Sequence, residues 1–137
     1  GKSFTHHLFK KMVLQKRKNI KALLLDQTFI SGLGNIYVDE SLWKSGIHPS
    51  SISNLVPENK VFSLHSNIRL TLREAINNNG TTIIDFNVNG ESGRYTDYLC
   101  VYGKAGEPCL KCNDRIEKLK IAGRGTYVCT KCQKKYS

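Results

Sequence analysis

Five cysteines occur in the 137 residues, and four of them form the pattern Cys109-x2-Cys112-x16-Cys129-x2-Cys132. Two residues between cysteines let one tight turn aim both sulfurs at a common point. A second pair, carried back on a returning strand, closes a tetrahedron. This is the ligand spacing of a structural zinc site. Disulfides and a redox Cys-x2-Cys pair are the competing chemistries, and the redox pair calls for a βαβ setting. Four thiolates leave no open coordination position for catalysis, so the expected role of one Zn2+ is architectural.

The segment between the cysteine pairs has to position them. IEKLKIAGRGTYV alternates weakly, as a β-hairpin does, with its turn expected at Ala122-Gly123-Arg124-Gly125. Arg124 then stands at the tip between two glycines, where a guanidinium suits bidentate contact with phosphate. Leu99 to Tyr102 reads as a short strand entering this module. Thr81-Thr82-Ile83-Ile84 is β-branched and strand-like, and the polar, glycine-containing NVNGESGRYTDY reads as a loop.

The first half of the chain is helical in style. Phe4, Leu8, Met12 and Val13 follow helical spacing, with Thr5 as an early cap, and Lys16 and Lys21 are placed further along this first helix. A basic cluster at Lys16, Arg17, Lys18 and Lys21 leads into the apolar run Ala22 to Leu25. Gly32 and Gly34 then break the helix, and a second one is expected from about Asn35, through Ile36, Glu40 and Trp43, to an end marked by Gly46 and Pro49. Val61, Leu64, Ile68, Leu72, Ala75 and Ile76 form one apolar stripe, with Pro57 in the first turn and Asn77 to Gly80 as the stop. The stripe is read as core. The fold class expected is mainly α with a small β zinc finger. Its parts are a helical domain at 1–79, a linker and loop at 80–102, and a four-cysteine finger at 103–137.

Lys and Arg outnumber Asp and Glu by 21 to 11, a formal charge of +10. Zinc on four thiolates lowers this by about two units and leaves the chain basic. A polyanionic partner follows, with nucleic acid ahead of an anionic membrane; a basic face kept for solvation is the plainer alternative. No apolar run approaches a membrane span and no signal peptide is visible, so an intracellular setting, cytoplasmic or nucleoid-associated, is expected. The glycine turn SGLGN between two helices, preceded by KRKNIK, has a logic for phosphate: turn amides and a helix N-terminus donate hydrogen bonds without side-chain charge. An αα-hairpin that uses glycine only to turn is the competing account of the same residues.

GLGNIYVDESLWKSGIHP (Gly32 to Pro49), together with the preceding LLLDQTFISG, resembles the helix–two-turn–helix signature of the formamidopyrimidine-DNA glycosylase family. GESGRYTDYLCVYGKAGEPCLKC and GRGTYVCTKCQ resemble its zinc finger. The resemblance runs from about Phe4 to Gln133, in order, and Asn-Ile-Tyr after the glycines favours this branch over the related endonuclease VIII branch. It implies a bifunctional glycosylase and AP lyase of base excision repair, acting on oxidised purines in double-stranded DNA. It also implies roles: Asn35 as a phosphate contact, Lys21 near the damaged nucleotide, and Lys16 as a DNA contact. Arg124 is implied to bind the phosphate flanking the lesion and to take part in the final elimination step. Residues 87–98 resemble the loop that covers an extruded oxidised purine. Their Arg94-Tyr95-Thr96 departs from the usual aromatic followed by glutamine.

The family attacks the sugar C1′ with the amine of an N-terminal proline, assisted by an adjacent glutamate. This chain begins Gly1-Lys2, and its first proline is Pro49. The expectation is therefore the C-terminal half of such an enzyme, inactive alone, with the N-terminal catalytic domain as a missing partner. A freestanding, non-enzymatic zinc-containing module that binds DNA or RNA is the alternative. His6, His7, His48 and His65 are expected to be structural or at the surface, Cys100 a small buried hydrophobe, and Trp43 core between helices. Asp26 and Glu40 are expected in cap, turn or salt-bridge roles rather than as a catalytic pair.

Overall fold

The computed structural model describes residues 5–26, 34–77 and 99–137. Four helices precede one hairpin: α1 (His6–Gln15), α2 (Ile20–Leu25), α3 (Gly34–Ser45), α4 (Glu58–Asn77), then β1 (Glu117–Ile121) and β2 (Arg124–Val128). The expected helical domain followed by a small β finger is what is found. The expected strand at 81–84, the loop at 87–98 and the turn residue Gly32 lie outside the described residues. Among the described residues, no helix is long and apolar enough to cross a membrane.

Helix boundaries follow local chemistry. The Thr5 hydroxyl accepts from Leu8 N–H and opens α1. The helix buries Phe9 and Val13, while Leu8 remains 48% exposed. Of the expected row, Val13 is core and Met12 packs against it, Leu8 is replaced by Phe9 as the buried residue one position on, and Phe4 lies outside the described residues. Lys16 and Lys21 do not share a helix as the sequence suggested. Lys16 is extended (φ −108°, ψ 139°) and ends α1, and the Asn19 side chain then accepts from Ala22 N–H to start α2. The break is held by Ser53, which accepts from Lys18 N–H at 3.2 Å and donates to the Lys16 carbonyl.

α3 stops in a Schellman arrangement. Gly46 N–H donates to Trp43 O and Ile47 N–H to Leu42 O, with Gly46 at φ +73°. Pro57 stands just before α4, where its carbonyl accepts from Val61 N–H at 2.9 Å. The α4 stripe is core as expected: Val61, Leu64 and Ile68 are buried with Ile20, Leu23, Leu24, Val38 and Leu42. The side chains of Leu72, Ala75 and Ile76 lie outside the described residues.

The hairpin is tighter than expected. Its strands pair antiparallel, with Ile121 opposite Arg124, so the turn is the two residues Ala122 (φ +55°) and Gly123 (φ +74°). Two successive positive φ values define a turn whose twist matches that of the flanking strands. Arg124 therefore opens β2 instead of sitting inside the turn. Leu99 to Tyr102 form no strand, since the N–H groups of Cys100, Val101 and Tyr102 all point at the carboxylate of Glu40.

Candidate metal centre and nucleic-acid interface

Each cysteine pair sits on a tight turn of the same design. Asn113 N–H donates to Cys109 O at 2.8 Å, and Gln133 N–H donates to Cys129 O at 2.9 Å. The two turns face each other across the base of the hairpin and gather all four sulfurs within 4.8 Å of one another. Cys109 and Cys132 sulfurs lie 3.8 Å apart, and those of Cys112 and Cys129 lie 3.5 Å apart. A tetrahedral zinc with bonds of about 2.3 Å requires sulfurs about 3.8 Å apart, so the set fits the ion. Burial opposes the Cys109 thiolate, but N–H donors from Lys111, Trp43 and Cys112 outweigh it and lower the pKa to about 6. Burial and the neighbouring sulfurs push Cys132 upward. A dication at the centre favours the thiolate form of all four.

The finger is fastened to α3 by buried polar contacts. Trp43 packs with Val101, Cys109, Ile116 and Cys129, so it belongs to the finger's core rather than to the space between helices. Its indole N–H points at the Cys109 sulfur at 3.3 Å, and the Lys111 ammonium lies 4.3 Å from its ring centre. Lys111 also donates to Trp43 O at 2.8 Å, supplying a cation at the C-terminal end of the α3 dipole. From the second cysteine turn, Gln133 takes Cys129 N–H and gives its own N–H to Ile47 O.

One turn back along α3 lie two acidic residues. Glu40 is 2% exposed and accepts from three consecutive backbone N–H groups at 2.7–2.8 Å. Asp39 is 1% exposed, with Oδ1 on Lys21 Nζ at 2.7 Å and Oδ2 on Tyr127 N–H at 3.1 Å. Burial raises the Asp39 pKa to about 6 against the pull of Lys21. Burial likewise lowers that of Lys21, against the pull of Asp39 and with a further push from Arg124. These carboxylates have structural partners rather than the geometry of a catalytic pair. Asp26 ends α2 and pairs with Lys18 at the surface.

Asn35 and Arg124 meet through the hairpin tip. Asn35, in the first turn of α3, donates to Gly125 O and to the Tyr102 hydroxyl, each at 3.3 Å. Arg124 is exposed beside them, and Lys16 is exposed at the end of α1. Lys21 is different: its side chain is fully enclosed, and its ammonium is shared among Asp39, Thr126 Oγ1 at 2.7 Å and Gly125 O at 3.4 Å. Sequence reasoning missed Asp39, Tyr102, Thr126, Lys111 and Gln133. Asp39 carried a signal: two adjacent acidic residues interrupt the apolar face of α3 in an otherwise basic chain.

Packed helices α2 and α3 joined to a four-cysteine finger, with the Asn35 amide and the Tyr102 phenol meeting at the seam, define the class of zinc-finger proteins built on such a helical unit. The family described as "Formamidopyrimidine-DNA glycosylase H2TH domain" matches residues 1–87, and "Zinc finger found in FPG and IleRS" matches residues 106–135. The chain belongs to the formamidopyrimidine-DNA glycosylase family and holds its H2TH domain and zinc finger. It is 52% identical over 120 residues to the formamidopyrimidine-DNA glycosylase of Lactobacillus acidophilus, covering 87% of this chain and 44% of that protein. With the Lactococcus lactis enzyme the identity is 43% over 133 residues, covering 97% and 49%. Among solved structures, Lactococcus lactis Fpg with DNA containing FAPY-dG superposes with a TM-score of 0.84 at 43% identity, covering 96% of this chain and 48% of that one. The same protein bound non-covalently to DNA containing an AP site gives 0.82 at 42% identity, covering 98% and 47%. The chain thus spans about half the length of the curated relatives it matches.

Proposed function

We propose that these residues are the duplex-DNA grip of a bifunctional DNA glycosylase and AP lyase acting on oxidised purines. The observation that carries this reading is the meeting of Asn35 and Arg124 at Gly125, where the first turn of α3 bonds the hairpin beside the exposed Arg124. In the proposed complex Asn35 and Arg124 hold backbone phosphates flanking an oxidised-purine or abasic site. Lys16 adds a peripheral contact, and Arg124 assists the final elimination. Lys21 acts from inside the protein, since its ammonium is fully enclosed, whereas the half-buried Asn35 reaches a phosphate by exchanging its bond to Gly125 O or to the Tyr102 hydroxyl. The proline-based attack on C1′ is assigned to residues outside 1–137, so this segment alone grips DNA without cutting it.

Binding to a duplex carrying an abasic-site analogue should weaken steeply with salt, because each phosphate contact releases counterions. Arg124→Ala and Asn35→Ala should each cost about 1–2 kcal/mol of affinity. Full affinity in both variants at low salt would remove this assignment. Tighter binding to structured RNA than to the duplex would favour a freestanding nucleic-acid module instead. Borohydride treatment on abasic DNA should trap no covalent adduct.

A further inference from the structure

We propose that Asp39 is a positioning residue for the Arg124 phosphate contact, a reading that rests on the function proposed above. The zinc holds only the base of the hairpin. Arg124 lies five residues from Cys129 along β2, about 16 Å in an extended strand. A lone two-stranded hairpin is marginal by itself, so the pose of its tip needs a second anchor. Asp39 provides it from α3. Oδ2 takes the N–H of Tyr127, and Oδ1 fixes Lys21 Nζ. Lys21 in turn holds Thr126 Oγ1 and Gly125 O, and Thr126 donates to Arg124 O at 3.0 Å. Three consecutive residues after Arg124 are thereby tied to one carboxylate that touches no solvent. Gly125 O also accepts from Asn35, so the same anchor sets the spacing between Arg124 and Asn35. A buried ion pair is weak as a source of stability. Its geometry here fixes where a flexible guanidinium starts from.

The test uses the full, zinc-loaded chain and a duplex carrying an abasic-site analogue, titrated over a salt series. Arg124→Ala should lower affinity about tenfold. Asp39→Asn should produce a comparable fall and a salt slope shallower by about one, the signature of one lost phosphate contact. Added to Arg124→Ala, it should cause no further loss. If the two losses multiply and the slope of Asp39→Asn equals that of the unsubstituted chain, Asp39 only supports the fold and the inference is overturned. Should Asp39→Asn fail to fold, Lys21→Met combined with Asp39→Asn leaves no unpaired buried charge and is read in the same way. If Arg124→Ala itself leaves affinity and slope unchanged, the proposed grip fails and this inference falls with it.

Discussion

The helical core and the seam between α3 and the finger are held by opposite means. In the core, Ile20, Leu23, Leu24, Leu42, Val61 and Leu64 pack with no charged partner among them. In the seam, Asp39, Glu40, Lys21 and Gln133 are as deeply buried, and each meets a named donor or acceptor. Apolar packing is non-directional and tolerates small rotations of one helix on another. Hydrogen bonds from buried carboxylates do not tolerate them, because a donor that drifts leaves a costly unpaired group. The core therefore makes the helices stay together, and the seam decides where the finger points.

Removing zinc is the largest expected perturbation of this contrast. Structural zinc contributes on the order of 10 kcal/mol to small sites. Chelation should abolish the hairpin and redden the emission of Trp43, whose indole faces the Cys109 sulfur. DNA affinity should drop with it. Far-UV circular dichroism should retain most helical signal if the core stands apart from the seam; joint loss of helix and finger would erase the distinction.

Single substitutions sharpen it. Leu64→Ala should cost about 2–5 kcal/mol by opening a cavity in the dry core. Glu40→Ala should cost about 3 kcal/mol by stranding three backbone donors. Urea titrations would measure both. The difference lies in the metal: Glu40→Ala should weaken zinc retention in a competition with a chelating dye, whereas Leu64→Ala should leave it unchanged.

The smallest effect expected is a pH slope. Asp39 titrates near 6 in the folded chain, above its ordinary 3.8, so the folded state binds that proton more tightly than the unfolded one. Its contribution to stability is then fully present below about pH 4 and is lost as pH rises through about 6. Asp39→Asn should remove a slope of at most about 1.4 kcal/mol per pH unit across that window. An unchanged slope would show that Asp39 does not govern the seam's titration.

Much of the architecture was legible in the sequence. Cysteine spacing pointed to the metal site because tetrahedral ligand geometry leaves few spacings that work. The stripe Val61–Leu64–Ile68 was legible because burial on one face imposes helical period. The α1–α2 break was not, since Ser53, from a distant turn, supplies the bonds that hold Lys16 to Lys18 extended. Nor was the inward turn of Lys21. A lysine in a basic cluster reads as a surface cation until Asp39 and Thr126 converge on it from positions 18 and 105 residues away. Asn35 and Arg124 were found from motifs, but that they meet at Gly125 is a property of the folded chain.

The tail beyond the last cysteine carries a kinetic consequence. Lys134 bridges to Gly46 and His48, and Tyr136 packs on the helical core while bonding Ile52 and Ser51. Without metal, that tail must find its seat by closing a loop of 85 residues. With zinc bound and the finger docked on α3, the seat is within a few residues' reach of Cys132. Most of the loop-closure entropy is then spent before the tail arrives, so docking the finger lowers the cost of seating Tyr136 on a core that contains none of the metal's ligands.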